Sequence, residues 1–285
     1  MAHEGSTKAI IAALLANLGI AITKFIAYVF SGSASMLAES VHSLADSGNQ
    51  LLLIIGGKKA RKEATPEHPF GYGRSRYVYA FIVSVVLFTV GGVFSVYEGI
   101  EKLSHPHELE NAWLPILVLV VAIGMESFSL RTAVVESKKV KGKQSWVQFV
   151  KHAKAPELPV VLLEDIAALL GLVLALLGVG LSVLTGNPVF DAYGTLAIGA
   201  LLVVVAVILG LEMGSLLIGE GASIEEVQAI RKALVGSEGV TSVIHMKTLY
   251  VGPEELMLAA KIGIKPNATG QEIAAIIDGA EANVR

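Results

Sequence analysis

The chain has 285 residues, 53% of them hydrophobic and 16% charged, with a formal net charge of −3 and a mean hydropathy of +0.65. A soluble domain carries about 25% charged residues, so this composition excludes an ordinary soluble protein, points to a multi-spanning membrane protein, and leaves no nucleic-acid partner to expect. There is no cysteine, which excludes a disulfide framework and any thiolate metal site and leaves His, Asp, Glu, Asn or backbone oxygen to hold a metal.

A helix needs about 20 mostly apolar residues to cross the hydrocarbon core. Six stretches qualify: 8–30, 35–57, 76–99, 112–135, 160–184 and 190–211. The strand alternation of a membrane barrel is absent. The residues before the first span lack the charged start and small-residue cleavage site of a removable signal, so that span is expected to be retained. It carries Asn17 and Lys24, seven apart and so on one face. Asn17 reads as a weak ligand or a hydrogen-bonding residue, and Lys24 as the partner of an acid.

The second span holds Glu39, His42, Asp46 and Asn49, at spacings of three, four and three. These form one polar stripe on an apolar rod. An ionisable side chain at bilayer depth costs about 2.5–3.5 kcal/mol on insertion scales, so it is rarely there without a task or a partner. His nitrogen with Asp oxygen suits Zn²⁺ and tolerates Mn²⁺ or Co²⁺. The competing reading is a hydrogen-bonded stripe that glues helices together.

In the fourth span Glu126 is expected to line a cytoplasmic entrance or to pair with Arg131 or another basic group. The fifth holds Glu164 and Asp165, which point about 100° apart on a helix. One of them is expected to bind metal while the other pairs, relays protons or faces another helix; Asp165 is the first choice and Glu164 the reserve. Asp191 opens the sixth span, where its charge suits a helix N-terminus.

Basic residues cluster after the second span (Lys58, Lys59, Arg61, Lys62, Arg74, Arg76) and after the fourth (Lys138, Lys139, Lys141, Lys143, Lys151, Lys154). The opposite loops hold almost none. The positive-inside rule places both basic loops, and with six spans both termini, in the cytoplasm.

The tail changes character. Ser223-x-x-Glu226 and Thr269-x-x-Glu272 are capping boxes, each opening a helix. Between them 240–251 and 256–264 read as strands split by Gly252-Pro253. The order α-β-β-α defines a small α+β unit, ferredoxin-like in outline. With no closing strand after its last helix, it is expected to be truncated or to have its sheet completed by a partner. The expected fold is therefore an all-α six-helix transmembrane domain over 1–219 and a cytoplasmic αββα domain over 220–285.

Four stretches carry a family resemblance, taken in this order along nearly the whole chain. They are Ser33-Ala34-Ser35-Met36-Leu37-Ala38-Glu39-Ser40-Val41-His42-Ser43-Leu44-Ala45-Asp46; His68-Pro69-Phe70-Gly71-Tyr72-Gly73-Arg74; Asn187-Pro188-Val189-Phe190-Asp191; and Leu217-Ile218-Gly219. The tail stretch Leu249-Tyr250-Val251-Gly252-Pro253 adds to them. Together they resemble the cation diffusion facilitator family of zinc-transporter-like metal exporters.

The resemblance implies a homodimer in a lipid bilayer, with a bacterial inner membrane as the expected location. It also implies export of a divalent cation, Zn²⁺ first, in exchange for protons, with no resident cofactor. It carries over His42, Asp46 and Asp165 as metal ligands. The family's histidine in span five is replaced by Val161, as in the divergent zinc-transporter-nine-like branch, and Glu164 is the candidate replacement. Asn49, Asn17 and Glu39 stand behind these. A site with one nitrogen fewer is harder, which leaves Mn²⁺, Co²⁺ or Fe²⁺ open.

In the resemblance the tail dimerises, and His245 is its one histidine for any metal sensing. No His-Glu-x-x-His helix of an intramembrane metalloprotease and no Walker-type phosphate loop is present, so neither an enzyme nor ATP drive is expected. A passive channel and a transport-dead scaffold remain as rivals.

Overall fold

Backbone groups in lipid must be paired within their own segment, so an apolar run in a bilayer becomes a helix. The computed structural model describes residues 2–111 and 113–285, with side chains from Asn17 onward. Its elements are α1 (Ala2–Ser31), α2 (Ala34–Ala60), α3 (Ser75–Val86), α4 (Phe94–Ser104), α5 (Trp113–Lys141), α6 (Trp146–His152), α7 (Glu157–Thr185), α8 (Val189–Ile218), α9 (Ile224–Val235), β1 (Val240–Gly252), β2 (Glu255–Ile264) and α10 (Gly270–Val284).

A π-helical stretch, Leu87–Val93, joins α3 to α4 in one continuous rod, Ser75–Ser104. It holds the pair Gly91-Gly92, and such wide turns gather where the regular ladder is locally disturbed.

Among the described residues four helices are long and apolar enough to cross a membrane: Ser75–Ser104, α5, α7 and α8. Of the two other expected spans, the first lies partly outside the residues open to this measure and the second does not reach it. The apolar part of α1 among the described residues is Asn17–Ser31, and α2 is interrupted by its polar stripe. That stripe is not turned outward: Glu39, His42 and Asn49 are all buried.

The reason lies in the packing, because α2 touches α1, α3, α4, α7 and α8 and is the central rod of the bundle. Around it Tyr77, Leu87, Leu119, Leu172, Ile198, Leu202, Leu209 and Met213 form one apolar core. On the far side Leu184, Leu211 and Phe128 are widely exposed, as the lipid-facing surface of an integral membrane protein is.

The start of α2 is fixed by several bonds. Gly32 turns the chain at φ +64°, and Ser33 caps the helix by accepting from Met36 N. Asp191, at the head of α8, accepts from Ser33 Oγ at 2.9 Å, Ala34 N at 2.8 Å and Ser35 N at 3.4 Å. Asp191 stands in the first turn of its own helix, as expected, and its carboxylate also serves the N-terminus of α2.

The tail follows the expected order. Both capping boxes are closed at each end. The strands agree with the expected ones to within a residue and pair antiparallel, Val240 with Ile264 and Tyr250 with Leu256. Leu234, Val240, Val243, Ile276 and Ala280 pack between the sheet and its two helices.

The tail leans on the bundle. Lys154 pairs with Glu220 and stands 5.3 Å from the Tyr250 ring centre. The Tyr250 hydroxyl donates to Glu226 at 2.9 Å, and burial together with that carboxylate pushes the phenol up to about 12. One element was not expected: α6 lies inside the stretch 137–157 that reads as loop. It opens on a capping box of its own, Ser145 with Gln148, so a capping signal was present in the sequence and overlooked.

Candidate metal site

The buried polar stripe of α2 divides into four neighbourhoods. Nearest the N-terminus of α2, Lys24 donates to Glu39 Oε2 at 2.9 Å and to Ser43 Oγ at 2.7 Å. Lys24 and Glu39 are both almost wholly buried. The expected acid partner of Lys24 is thus Glu39, whose charge is spent on an ion pair.

One turn on come His42 and Asp46, with His42 Nδ1 at 3.5 Å from Asp46 Oδ1, too long for a good hydrogen bond. His42 is 1% exposed, and among the described residues neither ring nitrogen has a partner. Asp46 Oδ1 is likewise buried and unpartnered. A further turn on, Asn49 Nδ2 donates to Glu164 Oε1 at 2.7 Å and ties α2 to α7. Close by, Asn17 gives its amide to Gln50 at 3.2 Å and joins α1 to α2.

The adjacent acids of α7 face different helices. Glu164 points to α2, while Asp165 accepts from Ser129 Oγ of α5 at 3.1 Å. Glu126 lies one turn before Ser129, on the same face of α5. Among the described residues it makes no ion pair with Arg131 or any other basic group, which leaves the entrance placement as the open one.

Two polar helix faces thus meet: His42, Asp46 and Asn49 on α2 against Glu164 on α7, with Asp165 and Glu126 behind, between α7 and α5. Among the described residues no three His, Asp or Glu side chains converge closely enough to hold an ion as they stand. Of the sequence-predicted ligands, the structure brings His42 and Asp46 together and sets Glu164 near them. It places Asp165 on the α5 side, Glu39 on Lys24 and Asn17 on Gln50. Ser129 was missed. Its signal was its spacing of three from Glu126, which puts both on one face of α5.

Val161 occupies the α7 position one turn before Asp165, where it packs with the apolar group of Ala133, Phe149 and Leu162. In the tail, His245 lies exposed on β1 opposite Lys261.

The site can be set beside known proteins. A family model described as the cation efflux transmembrane domain matches residues 10–218. The proton-coupled zinc antiporter SLC30A9, mitochondrial, of Xenopus laevis is 35% identical over 92% of this chain and 47% of its own length. Metal tolerance protein C4 of Arabidopsis thaliana is 29% identical over 91% of this chain and 57% of its own. Magnetosome protein MamM of Magnetospirillum gryphiswaldense is 26% identical over 90% of this chain and 76% of its own. The chain spans about half the length of the SLC30A9 relatives it matches.

Proposed function

The chain belongs to the cation efflux family, and on that footing we propose that it exports a divalent metal ion, Zn²⁺ first, in exchange for protons. The ion is the substrate, and the chain's own residues bind, exchange and release it. The observation that carries this reading is His42. A buried imidazole with both nitrogens unpartnered beside an unpartnered carboxylate is costly, because an unmade buried hydrogen bond costs about 1–3 kcal/mol. A site that takes an ion recovers that cost.

His42 and Asp46 supply the α2 ligands. Glu164 is the α7 ligand, because it faces α2 and is held by Asn49, one turn from Asp46. Asp165, on the α5 side, takes the next place, as a proton carrier or outer ligand. Asn49 orients Glu164, and neither Asn17 nor Glu39 is a ligand. The separation of the acids fits a bundle in which α2 and α7 close on the ion in one state and part in another. Metal needs neutral imidazole and ionised carboxylates, so ion and protons compete for the same atoms and binding one releases the other.

The same reading takes α1 and α2 as spans, giving six. It places the basic ends and the tail on the cytoplasmic side of a bacterial inner membrane. It treats 1–219 as the transport unit and 220–285 as the dimerising unit of a homodimer. Val161 gives this site one nitrogen fewer, which supports Mn²⁺, Co²⁺ or Fe²⁺ as the alternative cargo.

The test is flux in sealed vesicles, with Zn²⁺ and Mn²⁺ compared with and without a pH gradient. Flux that follows the gradient is expected, and Asp46→Ala is expected to abolish it while the protein still folds. Undiminished flux in Asp46→Ala would remove the site assignment. Flux indifferent to pH would make the protein a channel or uniporter.

A further inference from the structure

The Lys24–Glu39 pair has no part in ligation, yet it sits within the acidic interior. Lys24 is held by Ser43, the residue next to His42, as well as by Glu39. Its ammonium is almost wholly buried, so water and salt screen its charge little. The space for the pair is made on α7, where a Cβ on Gly171 would lie 2.6 Å from Glu39 Oε1. A buried ion pair is weak evidence for stability, since apolar residues of like volume often do as well. Its position beside the site therefore calls for a different account.

Resting on the metal-site reading above, we propose that Lys24 is a tethered counter-cation that sets the affinity of that site for a divalent ion. Held on Glu39, its ammonium cancels one negative charge of the interior and weakens the hold on the ion, so the ion can leave. Glu39 in turn keeps the ammonium from turning its full charge on His42 and Asp46.

The two partners then have opposite effects, which a purely structural pair does not. A unit charge near a divalent ion changes affinity by at least about tenfold at the effective dielectric of a protein interior. The test is calorimetric titration of the purified full chain in lipid nanodiscs with Zn²⁺ at fixed pH. Lys24→Gln is expected to bind about tenfold tighter than the parent, Glu39→Gln about tenfold weaker, the double variant near the parent, and Lys24→Arg close to the parent.

Removing Lys24 alone leaves a buried carboxylate unpaired, which can prevent folding. In Glu39→Gln the ammonium keeps its bond to Ser43 and the new amide oxygen can still accept from it, so the comparison of Glu39→Gln with the double variant is made on folded protein checked by size-exclusion chromatography, and tightening from the first to the second is expected. Equal affinity in those two, or weakening in both single variants, would overturn the proposal. Failure of the underlying site reading looks different: the parent and Asp46→Ala would then titrate alike.

Discussion

Replacing Asp191 with Ala tests whether the head of α8 serves the fold or the ion. The carboxylate is fully buried and accepts from Ser33 Oγ at 2.9 Å and Ala34 N at 2.8 Å, with a longer contact from Ser35 N at 3.4 Å. Ser35 Oγ also donates to the Asp191 carbonyl at 3.0 Å, which the substitution leaves in place. Hydrogen bonds to a charged group contribute about 1.5–3 kcal/mol each, so the two short ones set an upper figure of about 6 kcal/mol. Two effects reduce it. The helix ends lie near the membrane surface, where water can replace part of the loss. Bonds between membrane helices also measure weaker, because the unfolded chain in lipid finds other partners. The expected loss is about 3 kcal/mol, and Asp191→Asn, which keeps one acceptor oxygen, should lose about half of it. The assay is thermal unfolding in detergent followed by Zn²⁺ titration of the folded fraction. Affinity per folded molecule is expected to match the parent. Parental stability in Asp191→Ala, or a stable protein that no longer binds Zn²⁺, would refute the assignment of this aspartate to the start of α2.

Two further substitutions probe the tail. A Cβ on Gly73 would stand 2.8 Å from Val251 O and 2.9 Å from Gly252 Cα, and backbone cannot swing aside as a side chain can. Gly73→Ala is therefore expected to lift the β1–β2 turn from the bundle at a cost of about 1–3 kcal/mol and to speed limited proteolysis between α8 and α9; an unchanged cleavage rate would refute the contact. Glu272 is held down at about 2 by the Thr269 backbone N–H and hydroxyl and by the Lys265 ammonium. Its folded value is below the ordinary one of about 4.3, so its support of α10 is fully present above that value and is lost as pH falls towards 2. Glu272→Gln should flatten the decline in α10 hydrogen-exchange protection between about pH 5 and 2, once corrected for intrinsic rate, and an unaltered decline would show that the contact carries no pH dependence.

Much of the fold was legible because lipid leaves the backbone few choices. Long apolar runs gave the rods, and two S/T-x-x-E signatures gave the starts of α9 and α10. The central place of α2 was less legible. Its polar stripe makes it the least membrane-like of the long helices by composition, and only its packing against α1, α3, α4, α7 and α8 shows that the stripe is covered by protein. The helix α6 was missed because seven residues between two basic clusters carry too little periodicity to compete with a loop reading. Asp191 was correctly placed at a helix start, but it also serves the start of α2, where its partner Ser33 is 158 residues away in sequence, and no local rule reaches that far.

The site shows the same division between local and long-range information. The spacing of His42 and Asp46 is a property of one helix, so their meeting was readable. The adjacency of Glu164 and Asp165 required that they diverge, and they do. Which of them faces α2 depends on how α7 is rotated about its axis, and that is set by its contacts with α5 and α8. The Asn49–Glu164 bond at 2.7 Å and the Ser129–Asp165 bond at 3.1 Å fix that rotation. Once it is fixed, Asp165 falls towards the α5 side, with Val161 one turn before it, while Glu164 is the α7 acid turned to Asn49 on α2. The loss of a histidine at 161 therefore does not leave α2 without an α7 partner. In the proposed site the carboxylate three residues on takes that place, and the harder donor set it would give is the physical reason to measure Mn²⁺ beside Zn²⁺ in every flux experiment.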